Sequence, residues 1–108
     1  MDIIDKLTET LKQRQQAEPD GSYVASLYAA GLNKILEKVG EEATEVILAA
    51  KDADPAADNP QLIGEVADLW FHTMVMLIHL NSTPTEVLNL LDKRFGVSGL
   101  DEKRSRTS

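Results

Sequence analysis

The stretch "PQLIGEVADLWFHTMVMLIHL", Pro60 to Leu80, decides the fold class because helical periodicity and nearly continuous apolar character coincide in it. Asn59 followed by Pro60 is a typical helix start. Its polar exceptions are Gln61, Glu65, Asp68, His72 and His79, with Thr73 apart from them. At about 100° per residue they fall within about 60° of one another, on a helix whose other sides are apolar. Such a helix is expected to be buried on most sides, with its polar stripe supplied with partners.

The rest of the chain is also predicted to be helical, since it shows no sustained two-residue alternation and no hairpin dipeptide. The other expected helices run from Ile3 to about Gln16, from Tyr23 to Tyr28 after a Ser22 cap, from Leu32 to Ala53, and from the "TPTE" capping box at Thr83 to about Arg94. The predicted fold is all-α, four to five helices in an antiparallel bundle completed by homodimerisation. Residues 1–108 form a single domain in which about 95–108 are an irregular basic tail.

A second informative stretch is "EKVGEEATEV", Glu37 to Val46, which has four carboxylates and one lysine in ten residues. The apolar stripe of the same helix comprises Leu32, Ile35, Leu36, Val39, Ala43, Val46, Ile47 and Ala50. Glu42 is predicted at the edge of this stripe and Glu45 about 60° further round, with Lys38 between them. Glu41 lies further toward the back of the helix. Because like charges at this spacing repel, the face is either simply solvated or binds a cation; the helix alone favours solvation.

The two helices together change this interpretation. Glu42/Glu45 and Glu65/Asp68 are each spaced i and i+3 on helices predicted to be adjacent and antiparallel. Facing each other, these pairs place four carboxylates around one point and favour Mg²⁺ or Mn²⁺, which prefer oxygen ligands. Such a metal can orient water and neutralise a leaving pyrophosphate. The alternative is a buried acid–histidine network. His72, one turn after Asp68, is expected to hydrogen-bond that carboxylate.

Composition narrows the function classes. The chain has no cysteine, which excludes disulfides and thiolate metal sites, and its net charge of −7 argues against general nucleic-acid or membrane-surface binding. The start "MDIIDKLTET" lacks the features of a signal peptide, and no apolar run approaches the roughly 20 residues of a membrane span. A cytoplasmic protein that binds neither membrane nor nucleic acid is therefore expected.

The acidic motifs also carry a family resemblance. "EEATE", nineteen residues and then "EVAD" match the E-E-x-x-E…E-x-x-D pattern of the all-α nucleoside triphosphate pyrophosphatases, the MazG-like superfamily. The stretches "GSYVASLYAAGLNKILEKVGEEATEVILAAK", "DLWFHTMVML" and "RFGVSGLDEKRSR" resemble the phosphoribosyl-ATP pyrophosphatases of histidine biosynthesis. The resemblance extends from about Leu7 to Arg106, and Val24 stands where many members have Thr.

The resemblance implies a Mg²⁺-dependent hydrolase, with Mn²⁺ able to substitute, that converts phosphoribosyl-ATP to phosphoribosyl-AMP and pyrophosphate as a homodimer. By this analogy the metal and catalytic positions are Glu42, Glu45, Glu65 and Asp68, with Glu41 as a further metal candidate. Candidates for substrate contact are Lys34, Lys38, His72, Arg94, Lys103 and Arg104. For Lys38, an ion pair within the helix to Glu42 or Glu45 is the competing role. The apolar helix and Leu48 independently favour a dimer.

Three rival functions are weighed against this one. A house-cleaning nucleotide pyrophosphatase of the same superfamily would share the acidic constellation and differ in base and sugar recognition. A di-metal oxidase or storage bundle typically uses Glu-x-x-His pairs, whereas this chain has Glu-x-x-Glu and Glu-x-x-Asp. A non-enzymatic helical dimerisation module would use the acids as a buried network.

Overall fold

A computed structural model describes residues 2–96 of the chain. The described part is all-α, with five α-helices, one short 3₁₀ turn and no strand. The helices are α1 (Ile3–Arg14), α2 (Tyr23–Ala30), α3 (Leu32–Lys51), α4 (Pro60–His79) and α5 (Pro84–Phe95), and the 3₁₀ turn is Pro19–Gly21. The predicted all-α class is therefore confirmed, with each predicted helix end within two residues of the observed one. The predicted basic tail from residue 97 onward lies outside the described residues.

Short capping signals set several of the helix boundaries. Ser22 Oγ accepts a hydrogen bond from the Ala25 amide at 3.3 Å, which starts α2 as predicted. Thr83 and Glu86 form the predicted capping box, because the Glu86 side chain accepts from the Thr83 amide while Thr83 Oγ1 accepts from the Glu86 amide. Gly31 has φ 100°, a left-handed conformation that favours glycine, and it separates α2 from α3. These local features direct α2 back onto α3.

Asn59 precedes α4 as predicted, but its side chain does not cap that helix. Its side-chain nitrogen Nδ2 donates to the backbone oxygens of Asp54 at 2.9 Å and Ala57 at 3.0 Å. Its Oδ1 accepts from the backbone amide of Asp54 at 3.0 Å. The side chain thus stabilises the connection between α3 and α4. The start of α4 instead relies on Pro60, whose missing N–H leaves one fewer amide to satisfy.

The framework of the fold is an antiparallel hairpin of α3 and α4, the most extensive helix pairing in the described chain. Its core lies where α1 and α2 cover the first half of α3 and the second half of α4. This core comprises Leu11, Val24, Leu27, Ile35, Met74, Val75 and Ile78. The molecule is elongated, with extents of 56 × 33 × 27 Å. Its radius of gyration is 16.9 Å, compared with about 13 Å for a compact domain of about 100 residues.

The prediction that α4 is buried on most sides is wrong for the single chain. Ile63 and Trp70 are 68% and 65% exposed, on the side of α4 opposite its polar stripe. Within α4, only His72, Met74, Val75 and Ile78 are buried. The reason is that the other described helices cover one end of the hairpin, so the first half of α4 packs on α3 alone.

The predicted apolar stripe of α3 is likewise only partly covered. The face that packs on α4 is centred on the heptad-spaced residues Ile35, Glu42 and Ala49, which are the buried residues of this helix. Leu36 and Ile47, predicted in the stripe, are 42% and 61% exposed because they lie on its far flank, and Ala50 is exposed as well. Glu42, predicted at the edge of the stripe, therefore lies in the middle of the covered face.

Contrary to the expectation that no apolar run approaches a membrane span, α4 is long and apolar enough to cross a membrane, with a mean hydropathy of 1.2 over its most apolar window. It is the one such helix in the described part of the chain, and 22% of that window is buried. The core helix of a soluble protein passes the same test. Here α4 packs against α3 and carries Glu65, Asp68 and the buried His72, while Ile63 and Trp70 stay exposed.

Candidate active site

Three carboxylates converge where the middle of α3 crosses α4. Glu42, Glu45 and Glu65 each offer an oxygen that lies within 4.8 Å of the others. The i, i+3 spacing brings Glu42 and Glu45 to one side of α3, and the antiparallel pairing places Glu65 across from them. Glu42 is buried, Glu65 is half-buried and Glu45 is exposed. The resulting acidic cluster, Glu42, Glu45 and Glu65, is closed on one side and open to solvent on the other.

Asp68 borders this acidic cluster from the next turn of α4. Its side chain is exposed, and it is not among the residues that lie within 4.8 Å of one another. Its negative charge nevertheless acts on the cluster, where it is one of the influences that raise the pKa of Glu42 and of Glu65. The structure thus brings three of the four predicted carboxylates together and leaves the fourth at the rim.

The two oxygens of Glu42 have different surroundings. Oε1 lies 3.8 Å from Nδ1 of His72 and 3.9 Å from Nζ of Lys38. Oε2 is buried without a hydrogen-bond partner among the described residues, as is Oε2 of Glu65. Buried carboxylate oxygens left unpaired are costly, and a divalent cation is what oxygen-only donors of this kind accommodate. The residues present therefore fit a metal ion.

The electrostatics of the acidic cluster point the same way. Burial raises the pKa of Glu42 above its ordinary value of 4.5, and the adjacent Glu45 carboxyl adds to this effect. The Glu45 carboxyl raises the pKa of Glu65 most, because the two groups can share a hydrogen bond only when one of them is protonated, and burial adds to it. Without a cation, Glu42 and Glu65 therefore keep their protons to higher pH than exposed glutamates do.

Lys38 and Glu41 form an ion pair beside the acidic cluster. Lys38 Nζ donates to Glu41 Oε2 at 3.2 Å, and this bond is the largest influence raising the pKa of Lys38. The ion pair within the helix from Lys38 to Glu42, predicted as the competing role, is present at 3.9 Å, although the shorter contact is to Glu41. Glu41 stays exposed and outside the cluster. Lys34 makes a similar pair with Glu37 at 3.7 Å.

His72 is 6% exposed, and its contacts differ from the expected ones. Nδ1 lies 2.9 Å from the backbone oxygen of Asp68 rather than bonding to the Asp68 carboxylate, and Nε2 lies 2.8 Å from the Tyr23 hydroxyl. Tyr23 is not among the predicted site residues, because its contact depends on how α2 folds back onto α4. His79, further along the polar stripe, stacks on Tyr28 with ring centroids 5.8 Å apart.

The remaining predicted substrate residues are not gathered at the acidic cluster by any described contact. Arg94 lies exposed in the last turn of α5. Lys103 and Arg104 lie outside the described residues. Of the predicted basic and imidazole contacts, Lys38 and His72 are the two that touch the cluster, both through Glu42.

The chain matches a known protein family. A family model described as phosphoribosyl-ATP pyrophosphohydrolase matches residues 4–95 of the chain. This span begins in the first turn of α1, ends at the last residue of α5 and includes every carboxylate of the acidic cluster. The family consists of hydrolases that act on a nucleotide in histidine biosynthesis. Since the match covers most of the 108 residues, the chain belongs to the phosphoribosyl-ATP pyrophosphohydrolase family.

Proposed function

We propose that this protein hydrolyses the α–β phosphoanhydride of N1-(5-phosphoribosyl)-ATP to phosphoribosyl-AMP and pyrophosphate, with Mg²⁺ as cofactor and Mn²⁺ as a substitute. Family membership supports the reaction class. The observation that carries the metal requirement is the buried, partnerless Oε2 of Glu42, within a group of three carboxylates whose oxygens lie within 4.8 Å. An anionic site of this kind is completed by a cation.

Glu42, Glu45 and Glu65 would hold the metal, and Asp68 would contribute from the rim. All four offer carboxylate oxygens, the donors that Mg²⁺ and Mn²⁺ prefer. When bound, the ion would supply charge neutralisation for phosphate oxygens and for the leaving pyrophosphate. The open side of the acidic cluster, at the exposed Glu45 and Asp68, is where the substrate would approach.

Lys38 is proposed to contact a substrate phosphate. Its side chain is 26% exposed and lies beside Glu42, so its ammonium is both near the acidic cluster and reachable from solvent. A phosphate would compete with Glu41 for this ammonium, because both are anions. Lys34, one turn earlier, is a second contact in this proposal, and Arg94, Lys103 and Arg104 would serve phosphates further from the metal.

We also propose that the protein works as a homodimer. The hairpin of α3 and α4 exposes large apolar side chains that a soluble monomer would not leave uncovered. These are Leu36, Ile47, Leu48, Ile63 and Trp70. Large exposed apolar side chains of this number favour an interaction site, and a second copy of the same chain is the simplest partner because such interfaces are self-complementary.

A cytoplasmic location belongs to the same proposal. The chain has no cysteine, which fits a reducing compartment. Helix packing and the proposed dimer interface account for the apolar residues of α4 without a bilayer. The proposed substrate is a small phosphorylated nucleotide, for which a soluble enzyme is expected.

Substrate preference is the test of this proposal. Pyrophosphate release would be measured with phosphoribosyl-ATP, dUTP, dCTP and ATP, each with Mg²⁺ and with a chelator. We expect rapid release from phosphoribosyl-ATP that depends on Mg²⁺ and slow release from the other three. Comparable release from dUTP or dCTP would instead identify a house-cleaning nucleotide pyrophosphatase.

A further inference from the structure

A hydrogen bond between Tyr23 and His72 links α2 to α4 beside the acidic cluster. The Tyr23 hydroxyl lies 2.8 Å from His72 Nε2. The two rings also meet edge to face, with centroids 5.8 Å apart and planes at 86°. Because His72 is 6% exposed, water has little access to replace the hydroxyl as a partner of Nε2.

The contacts of His72 determine which ring nitrogen carries the proton. Nδ1 lies 2.9 Å from the backbone oxygen of Asp68, which can only accept a hydrogen bond. Nδ1 must therefore be the N–H donor. In a neutral imidazole Nε2 is then an acceptor, so the Tyr23 hydroxyl donates to it. The hydroxyl thus favours the tautomer with the proton on Nδ1 and fixes the rotation of the ring.

This orientation affects Glu42. The same Nδ1 lies 3.8 Å from Glu42 Oε1, on the side of the carboxylate that also faces Lys38 at 3.9 Å. The Lys38 ammonium attracts Oε1 and the Nδ1–H group of His72 lies on the same side, both beyond hydrogen-bonding distance, while Oε2 has no hydrogen-bond partner among the described residues. This arrangement leaves Oε2 available as a metal ligand within the acidic cluster.

We propose that Tyr23 is a positioning residue for the acidic cluster: its hydroxyl holds His72 with Nδ1–H toward Asp68 and Glu42, and His72 in turn orients Glu42 for a metal ion. The consequence for metal binding rests on the proposed function. Outer-shell partners that fix a histidine tautomer and orient a ligating carboxylate strengthen metal binding in the same way.

Another role for Tyr23 is direct contact with the substrate, because its side chain is 54% exposed. The hydroxyl hydrogen is already engaged with His72, which favours positioning. The two roles differ in what they require. A positioning role requires His72 and alters metal affinity in the absence of nucleotide, whereas a substrate contact alters KM alone.

The chain offers a matched control for the test. It has two tyrosines, and the hydroxyl of the other, Tyr28, donates to the backbone oxygen of Leu11 at 3.1 Å within the core. Tyr23→Phe and Tyr28→Phe therefore remove the same atom from two different places. His72→Gln and the double variant Tyr23→Phe/His72→Gln complete a cycle. Mn²⁺ affinity would be measured by calorimetry without nucleotide, and circular dichroism would check that each variant is folded.

The tautomer of His72 would be measured directly by long-range proton–nitrogen correlation spectra. The chain has two histidines, so the His72→Gln spectrum assigns the signals. We expect a single Nδ1–H tautomer in the wild type and in Tyr28→Phe, and a mixture in Tyr23→Phe. We expect about tenfold weaker Mn²⁺ binding in Tyr23→Phe, and no further loss when it is added to His72→Gln.

Two results would overturn the inference. One is a Tyr23→Phe variant with wild-type Mn²⁺ affinity and an unchanged His72 tautomer, whether or not its KM is raised. The other is a full loss of affinity on adding Tyr23→Phe to His72→Gln, since the hydroxyl would then act without the imidazole. If the wild type itself binds no Mn²⁺, the proposed function fails instead, and the nitrogen spectra still decide whether Tyr23 sets the tautomer.

Discussion

Glu42 and His72 meet through one carboxylate oxygen, with Oε1 3.8 Å from Nδ1 of the imidazole, while the other oxygen of Glu42 is buried and has no hydrogen-bond partner among the described residues. Oε1 thus has two nitrogens nearby, although neither is within hydrogen-bonding distance, whereas Oε2 is buried and unpaired. A side chain that is merely part of a buried network would be expected to satisfy both oxygens. This asymmetry is the physical basis for treating Glu42 as the central metal ligand.

The first prediction concerns turnover. Glu42→Gln keeps the size of the side chain but removes the charge that a cation requires, so we expect pyrophosphate release to fall by more than about 100-fold, because even outer-shell partners of metal ligands contribute about 10- to 100-fold. Asp68→Asn should also abolish turnover. Both variants should stay folded.

The control for this prediction is Glu37→Gln. Glu37 lies on the same helix but is 56% exposed and pairs with Lys34 at 3.7 Å. Because the chemical change is identical and the position is solvated, activity should stay close to that of the wild type. Near-normal Mg²⁺-dependent turnover in Glu42→Gln would show that this residue is not a ligand.

The second prediction concerns the pH dependence of metal-free stability. Folding raises the pKa of both Glu42 and Glu65 above the ordinary value of 4.5. A group whose pKa is raised by folding stabilises the folded protein at pH values below its pKa in the unfolded chain. This contribution is lost as the pH rises through its pKa in the folded chain. With a chelator present, the free energy of unfolding should therefore lose the contribution of these groups as pH rises above 4.5.

Glu42→Gln isolates the contribution of Glu42 to this pH dependence, since glutamine resembles the protonated acid at every pH. Urea titrations of wild type and variant should show a stability difference that grows in favour of the variant as pH rises. A difference that is independent of pH would mean that Glu42 titrates at the same pH in the folded and unfolded chains.

The third prediction concerns stabilisation by metal. A ligand that binds only the folded state at about 100 times its Kd adds about 2.7 kcal/mol to stability. Adding Mg²⁺ at neutral pH should therefore raise the Tm of the wild type and should raise that of Glu42→Gln far less. An equal rise in both proteins would indicate a general salt effect rather than binding at the acidic cluster.

The fourth prediction concerns the dimer. Ile63 and Ile3 are 68% and 65% exposed, but Ile63 lies on the hairpin and Ile3 on α1 at the start of the described chain. Ile63→Lys should convert a dimer to monomers in sedimentation velocity, whereas Ile3→Lys should not. Trp70, the single tryptophan, is an internal reporter, because its emission should shift to longer wavelength on dissociation. A wild type that sediments as a monomer at all concentrations would refute the interface.

Much of the fold follows from local chemistry in the sequence. Ser22, Gly31 and Thr83 act over a few residues, so their roles could be predicted without knowing the tertiary structure. The role of Asn59 could not be predicted in this way, because its side chain hydrogen-bonds to the preceding loop and not to the helix that follows it. The extent of burial on α3 and α4 also could not be predicted from the sequence, since it depends on which end of the hairpin the other helices cover.

The candidate site divides in the same way. Helical spacing alone places Glu42 and Glu45 on one side of α3, and the pairing of two long helices brings Glu65 to them. The hydrogen bond between Tyr23 and His72 joins residues far apart in sequence and depends on the packing of a third helix. No periodicity in the sequence predicts it. Which predicted carboxylates act as metal ligands stays a prediction.

The most direct test of the metal site is a calorimetric titration of Mn²⁺ into the wild type, Glu45→Gln and Glu41→Gln in the absence of nucleotide. Glu45 belongs to the group of oxygens within 4.8 Å, whereas Glu41 is turned toward Lys38 at 3.2 Å. We predict saturable Mn²⁺ binding by the wild type, its loss in Glu45→Gln and its retention in Glu41→Gln. Unchanged binding in Glu45→Gln, or no binding by the wild type, would contradict the assignment of the acidic cluster as the metal centre.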